Sequence, residues 1–138
     1  MLLYGHDREL ALWAGQHLGY DGPIGLPQNP VAIGVARNGS IIAAAIFYDY
    51  RLTSIEVTFV TTTPRWASRE NIRAILAYPF TQLGCKRLTA ITEEMNREAR
   101  EFLERLGFRQ EGIHPDGFVS GSGISYGLLR RDAERWLK

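Results

Sequence analysis

Disulfides, metal ligands and a membrane span are the first things this sequence lacks. Cys85 is its only cysteine, so no internal disulfide can form. Its histidines, His6, His17 and His114, are far apart, and no metal-ligand cluster stands out, so no metal is expected. No apolar run approaches the roughly 20 residues a bilayer demands. The N-terminal stretch MLLYGHDREL has neither the basic region nor the apolar run of a signal peptide. These absences imply a cytoplasmic protein with no membrane partner. Charge of one sign is missing too. Sixteen Lys and Arg against fifteen Asp and Glu leave a formal net charge of +1, which offers no broad basic field for nucleic acid. Ser120, Ser122 and Ser125 lie in a glycine-rich turn without the elbow that exposes a serine nucleophile. There is no internal repeat and no low-complexity segment.

Apolar residues make up 45% of the chain and aromatics 11%, enough for one core. A chain of 138 residues is the size of one domain, 1–138, and can bury roughly 65 to 70% of its unfolded surface. Leu10, Trp13, Ala14, His17 and Leu18 recur at helical spacing behind Asp7, which reads as an N-cap, and the helix should stop at Gly19. YDGPIGLPQNP is a long proline- and glycine-rich loop. VAIGVARNGSIIAAAIFYDY is a hairpin turning at Asn38-Gly39, a pair that tolerates positive φ. SIEVTFVTT alternates as a third strand and projects Glu56 from its middle.

Residues 68 to 83 place Ile72, Ile75, Leu76, Phe80 and Leu83 on one helical side, disturbed at Pro79 and stopped by Gly84. KRLTAITEE is a strand. NREAREFLERLGF is a helix with an Ala99, Phe102, Leu103 and Leu106 stripe, ended by Gly107. Three charge pairs on its outer face, Arg97 with Glu101, Arg100 with Glu104 and Glu101 with Arg105, stand four apart. Short strands follow around QEGIH and ISYGLLR, with Pro115-Asp116-Gly117 as a turn, and residues 131 to 137 form a last helical turn.

The stretch YPFTQLGCKRLTAITEEMNREAREFLERLGFRQEG, Tyr78 to Gly112, resembles the GNAT acyl-CoA N-acetyltransferases. Within them it is most similar to the branch that acetylates protein N-terminal amines, including those of ribosomal proteins. Tyr78, Phe80, Leu83, Gly84, Asn96, Leu106, Gly107, Phe108, Glu111 and Gly112 carry the match, and YGLLRRDAERW, Tyr126 to Trp136, resembles the family's closing strand and helix. The resemblance implies an α/β (α+β) GNAT fold, with a mixed twisted central sheet of about six to seven strands and helices on both faces. It implies acetyl-CoA as co-substrate, an amine acceptor that is a protein or a small molecule, and a monomer or homodimer.

The resemblance also implies roles for residues. Glu56 stands where many relatives keep a catalytic Glu, a general base for the amine. Acetyl-CoA would run along Phe59, Val60 and Thr61, and its pyrophosphate would meet Arg65, Trp66, Ala67, Ser68, Arg69, Glu70 and Asn71. Asn96 and Ala99 would approach its arm from the next helix. The departures are as informative. The family's phosphate loop falls on Thr63, Trp66 and Ser68, none of which matches, and Trp66 replaces a glycine that lets backbone approach phosphate. Arg65, Arg69 and Arg73 are the compensating cations. Leu103 occupies the place of the usual general-acid Tyr, which leaves Tyr126 as the substitute, and Ala99 replaces a common Ser. These departures keep a second reading open: a GNAT fold that grips a protein partner. Asp21, Asp116 and His114, in residues 20 to 30 and 112 to 123, would receive a cationic acceptor.

Overall fold

A computed structural model describes residues 1–18 and 29–138. The helix stop at Gly19, Asp21 and most of the loop read at residues 20 to 30 lie outside the described residues. The described chain runs β1 (Leu2–Leu3), α1 (Asp7–His17), β2 (Val31–Arg37), β3 (Ser40–Tyr48), β4 (Ser54–Thr61), α2 (Arg69–Ala77), β5 (Arg87–Glu93), α3 (Arg97–Leu106), β6 (Arg109–Phe118), β7 (Gly121–Leu129) and α4 (Arg130–Leu137). The strands form one seven-stranded sheet in the order β1-β2-β3-β4-β5-β7-β6. Every neighbouring pair is antiparallel except β4 and β5. The mixed α/β fold expected from the sequence is present.

Helices cover both faces, because strand residues alternate between them. Leu10 and Ala14 of α1 pack on Ala32, Ala44, Ile46 and Val60 on one face. On the other, α2, α3 and α4 pack on Ile33, Val35, Phe47, Val57, Leu88, Ile124, Tyr126 and Leu128. Fully burying a side chain of Leu or Phe size contributes about 1.5 to 3 kcal/mol, so the second, larger layer holds most of the stability. The seat for α1 depends on Gly34: a Cβ there would lie 2.5 Å from Leu10 Cδ2.

The hairpin turns as its sequence demands, with Asn38 at φ 53° and Gly39 at φ 78°. Other local readings need correction. Asp7 is the first residue of α1 rather than its cap; its carboxylate accepts the Ala32 amide at 2.8 Å, pinning the helix start to the edge of β2. The helix read over 68 to 83 is α2 followed by a π-helical turn at Tyr78–Gln82. Pro79 has no amide to give an α-helical bond, so the chain widens instead of stopping. Pro115, Asp116 and Gly117 make no turn between strands. They form an irregularity inside β6, where the register shifts between His114 and Phe118 and Asp116 takes φ 55°. None of the three charge pairs expected on α3 lies within ion-pair distance; the described ion pairs are Asp49–Arg51, Arg87–Glu111 and Arg109–Asp132, and His6 Nδ1 lies 3.8 Å from the Glu9 carboxylate. β1 was not legible, since two residues carry no periodicity.

Candidate functional site

The parallel pair at the centre of the sheet is short. Ser54, Ile55 and Glu56 pair with Arg87, Leu88 and Thr89, and there the pairing ends. Beyond this fork β4 stays bonded to β3 as far as Thr61, and β5 to β7 as far as Glu93. Each strand thus turns an edge without a strand partner toward the other across a wedge. Strand edges carry amide and carbonyl groups that need acceptors and donors, and an extended ligand with amides of its own fits that need. Phe59, Val60 and Thr61 all belong to the open stretch of β4.

Glu56 is the last residue of β4 paired with β5, so its half-buried carboxylate stands at the fork. Its pKa is raised above the ordinary Glu value, chiefly by burial and next by the Asp49 charge, while Arg51 pulls it down. Arg51 pairs with Asp49 at 3.2 Å rather than with Glu56. Ile55 and Val57, on either side, point into the layer under α2 to α4, so Glu56 faces the α1 side of the sheet.

Tyr126 is placed differently. It pairs with Ala90 across β5 and is fully buried in the layer under α2 to α4. Glu56 and Tyr126 therefore lie on opposite faces of the sheet and are not brought together. The Tyr126 hydroxyl accepts from Arg100 Nε at 2.9 Å and faces Glu104 Oε1 at 3.5 Å. Arg100 is further held by the Glu94 carbonyl at 3.0 Å, and its pKa is raised, first by the bond to Tyr126. This knot explains why Arg100 does not serve the surface pair read from its spacing.

The β4–α2 junction is a compact turn without glycine. Thr63 Oγ1 accepts the Arg65 amide at 3.3 Å, Pro64 to Trp66 form a 3-10 turn, and Ala67 bonds back to the Pro64 carbonyl at 3.1 Å. Ser68 then caps α2, its Oγ accepting the Asn71 amide at 3.1 Å. Asn71 returns a bond from Nδ2 to the Trp66 carbonyl at 2.7 Å. Asn71 is thus part of the junction's own framework. Helix geometry leaves the amides of Arg69 and Glu70 without an intrahelical acceptor, and these can face an anion. The Arg69 side chain turns away from that position. It donates to the Arg135 carbonyl and lies 5.6 Å over the Trp136 ring on α4. Arg65 and Arg73 are exposed. Trp66, read as a residue at the phosphate, is 3% exposed and belongs to the core.

Asn96 caps α3 with its side chain, accepting the Ala99 amide at 3.1 Å. It is exposed at the open end of β5, and Ala99 is half-buried one turn later. Glu111 is tied to Arg87 over Gly127, where a Cβ would collide with both side chains.

A cavity of about 560 Å³ lies apart from the wedge, lined by Tyr4, Asp7, Val31, Ala74, Tyr78 and Gln82 among others. Burial raises the Tyr78 pKa, with Asp7, Cys85 and Tyr50 adding to it. Sequence reasoning did not find this cavity, since its walls come from three separate segments. Among the described residues no group of His, Cys, Asp and Glu could hold a metal, and no helix is long and apolar enough to cross a membrane.

No protein-family model and no curated protein matches the chain. Solved structures do. A ribosomal-protein-S5-alanine acetyltransferase from Vibrio fischeri is similar over 75% of this chain and 63% of its own, at 15% identity and TM-score 0.64. A GCN5-related N-acetyltransferase from Brucella melitensis matches 78% of this chain and 54% of its own, at 21% identity and TM-score 0.65. A spermidine/spermine N-acetyltransferase from Vibrio cholerae matches 79% and 72%, at 18% identity and TM-score 0.66. The chain spans less than two thirds of the length of the first two. These likenesses show that the fold is the GNAT acetyltransferase fold.

Proposed function

We propose that the chain is an N-acetyltransferase that moves acetyl from acetyl-CoA to a primary amine by direct attack, with both substrates bound at once. One observation carries the reading: the β4–β5 pairing ends at Glu56, so an open wedge of strand edges begins beside a carboxylate of raised pKa. The likeness to acetyltransferases of known structure supports it. The acceptor is an amine of a protein N-terminus, a lysine or a small molecule.

Acetyl-CoA supplies an acyl carbon activated by a thiol leaving group. The open edge of Val57 to Thr61 would hold its amide-bearing arm by backbone bonds. The free amides of Arg69 and Glu70, at the positive end of the α2 dipole, would receive its pyrophosphate. A lysine-like amine has a pKa near 10.4, so freeing its lone pair at pH 7 costs about 4 to 5 kcal/mol at roughly 1.36 per unit. Ionised Glu56 attracts the ammonium form, then takes its proton as general base. Its raised pKa makes it a stronger base than an ordinary Glu. Tyr126 would serve α3 and the core rather than the leaving group. A thiol near pKa 8.5 departs as thiolate with little penalty near neutrality, and water would protonate it.

The test is release of free thiol from acetyl-CoA in the presence of N-terminal peptides, lysine peptides and small polyamines. Turnover with at least one acceptor is expected. Glu56→Gln should lower it at least about tenfold while leaving CoA affinity within about twofold. A second reading, a GNAT-fold module that binds a protein partner, draws support from the buried Trp66 in the phosphate junction. Turnover with none of these amines would favour it.

A further inference from the structure

Three aromatic side chains meet at the open end of the wedge. Phe59 lies on the stretch of β4 that is open toward β5, three residues beyond the fork at Glu56. Trp66 follows in the 3-10 turn, and Phe102 comes from α3, the helix that leaves the end of β5. The Phe59 and Trp66 rings stack at 6.2 Å between centroids; Phe102 meets Phe59 edge-on at 5.5 Å and Trp66 at 5.3 Å. Phe59 and Phe102 therefore join the two sides of the wedge, one from β4 and one from the helix that follows β5. Trp66 closes the third side, two residues before the Ser68 cap. Its backbone is fixed there: Pro64 opens the turn, Thr63 caps it, and Asn71 Nδ2 grips the Trp66 carbonyl at 2.7 Å. That framework directs the indole inward, where it is 3% exposed.

We infer that Trp66, Phe59 and Phe102 form an aromatic plug that closes the helix side of the β4–β5 wedge and sets the protein's affinity for CoA. The inference rests on the wedge being the acyl-CoA site. A ligand running from the fork at Glu56 to the amides of Arg69 and Glu70 must pass Phe59 and then Trp66. The indole has to leave its two partners before that path is continuous. A glycine at position 66 would leave the path open; the tryptophan makes entry of the cofactor compete with core packing. The plug belongs to the free protein, and occupancy of the wedge displaces it.

Titration calorimetry with free coenzyme A, on the natural protein and on Trp66→Leu and Phe102→Leu, tests this. The leucines keep an apolar core while removing ring contacts. Folded variants should bind coenzyme A at least about tenfold more tightly than the natural protein, a shift well resolved by calorimetry. Equal or weaker binding by folded variants overturns the plug and leaves the acetyltransferase reading intact. Tight binding by the variants with none by the natural protein upholds the plug and removes that reading. Binding by no protein overturns both. Should neither variant fold, a protein carrying Trp13→Phe and Trp136→Phe retains Trp66 as its only tryptophan. Saturating coenzyme A should then shift the Trp66 emission to the red and increase its quenching by acrylamide. Emission unchanged by coenzyme A overturns the plug.

Discussion

The two helices that flank the wedge start alike and are preceded by different chains. At α2, Ser68 accepts the Asn71 amide, and at α3, Asn96 accepts the Ala99 amide, both at 3.1 Å. Each start thus spends one amide on its own cap. Upstream they diverge. The α2 start follows a proline-led turn that buries Trp66, whereas the α3 start follows Met95, which is 84% exposed. A capped helix start is local and cheap to form, while its usefulness to a ligand depends on what the preceding residues place in front of it.

The largest expected effect breaks the comparison at Trp66. Trp66→Ala should cost about 3 to 5 kcal/mol, the range for truncating a large buried aromatic. Met95→Ala should stay within about 0.5 kcal/mol, as an exposed change does. Urea denaturation of the two proteins measures both; equal losses would mean the two junctions are packed alike. Next come the caps. Ser68→Ala and Asn96→Ala should each lose about 1 kcal/mol, and the double variant should lose their sum, because the two sites share no partner. A much larger loss at Ser68 would show that its cap also holds Trp66 in place through Asn71.

The smallest expected effects concern charge. Arg65→Ala should weaken coenzyme A more than it weakens the analogue lacking the 3′-phosphate, whereas Arg97→Ala, at the α3 start, should weaken both equally. Calorimetry with the two ligands separates them. For Glu56, the folded-state pKa lies above the ordinary Glu value. The folded protein therefore holds that proton more tightly than the unfolded chain, and stability falls as pH rises through the raised value. Glu56→Gln should melt slightly above the natural protein at pH 7, with the difference gone below about pH 4, under the ordinary value for Glu. Turnover has the opposite trend and should fall as pH drops through the same pKa, since only the ionised carboxylate is a base. A variant that melts lower at pH 7 would contradict the burial argument.

Much of this was legible in the sequence because it is local. Asn38-Gly39 dictates its hairpin, alternation sets the central strands, and Asn96 and Gly107 bound α3 with a cap at one end and a φ of 111° at the other. The order from Tyr78 to Gly112 pointed to the fold that the solved structures share. What failed was tertiary. Asp7 reads as a cap from spacing, yet its carboxylate serves a β2 amide 25 residues away. Arg100 reads as half of a surface pair, yet a buried tyrosine hydroxyl in β7 draws it inward. Glu56 and Tyr126 look like a base and acid pair until strand parity assigns them to opposite faces. The wedge left no signal in local spacing, since nothing local says where a parallel ladder stops pairing; only the family resemblance, which runs acetyl-CoA along Phe59, Val60 and Thr61, anticipated it.

Amide hydrogen exchange, read residue by residue with and without coenzyme A, tests the central claim most directly. The claim is that the wedge between β4 and β5 holds the acyl-CoA arm. Exchange should slow at amides within Val57 to Thr61 that face away from β3 and at Arg69 and Glu70. Protection confined to the cavity beside Asp7 and Tyr78, or no protection at all with saturating coenzyme A, would contradict it.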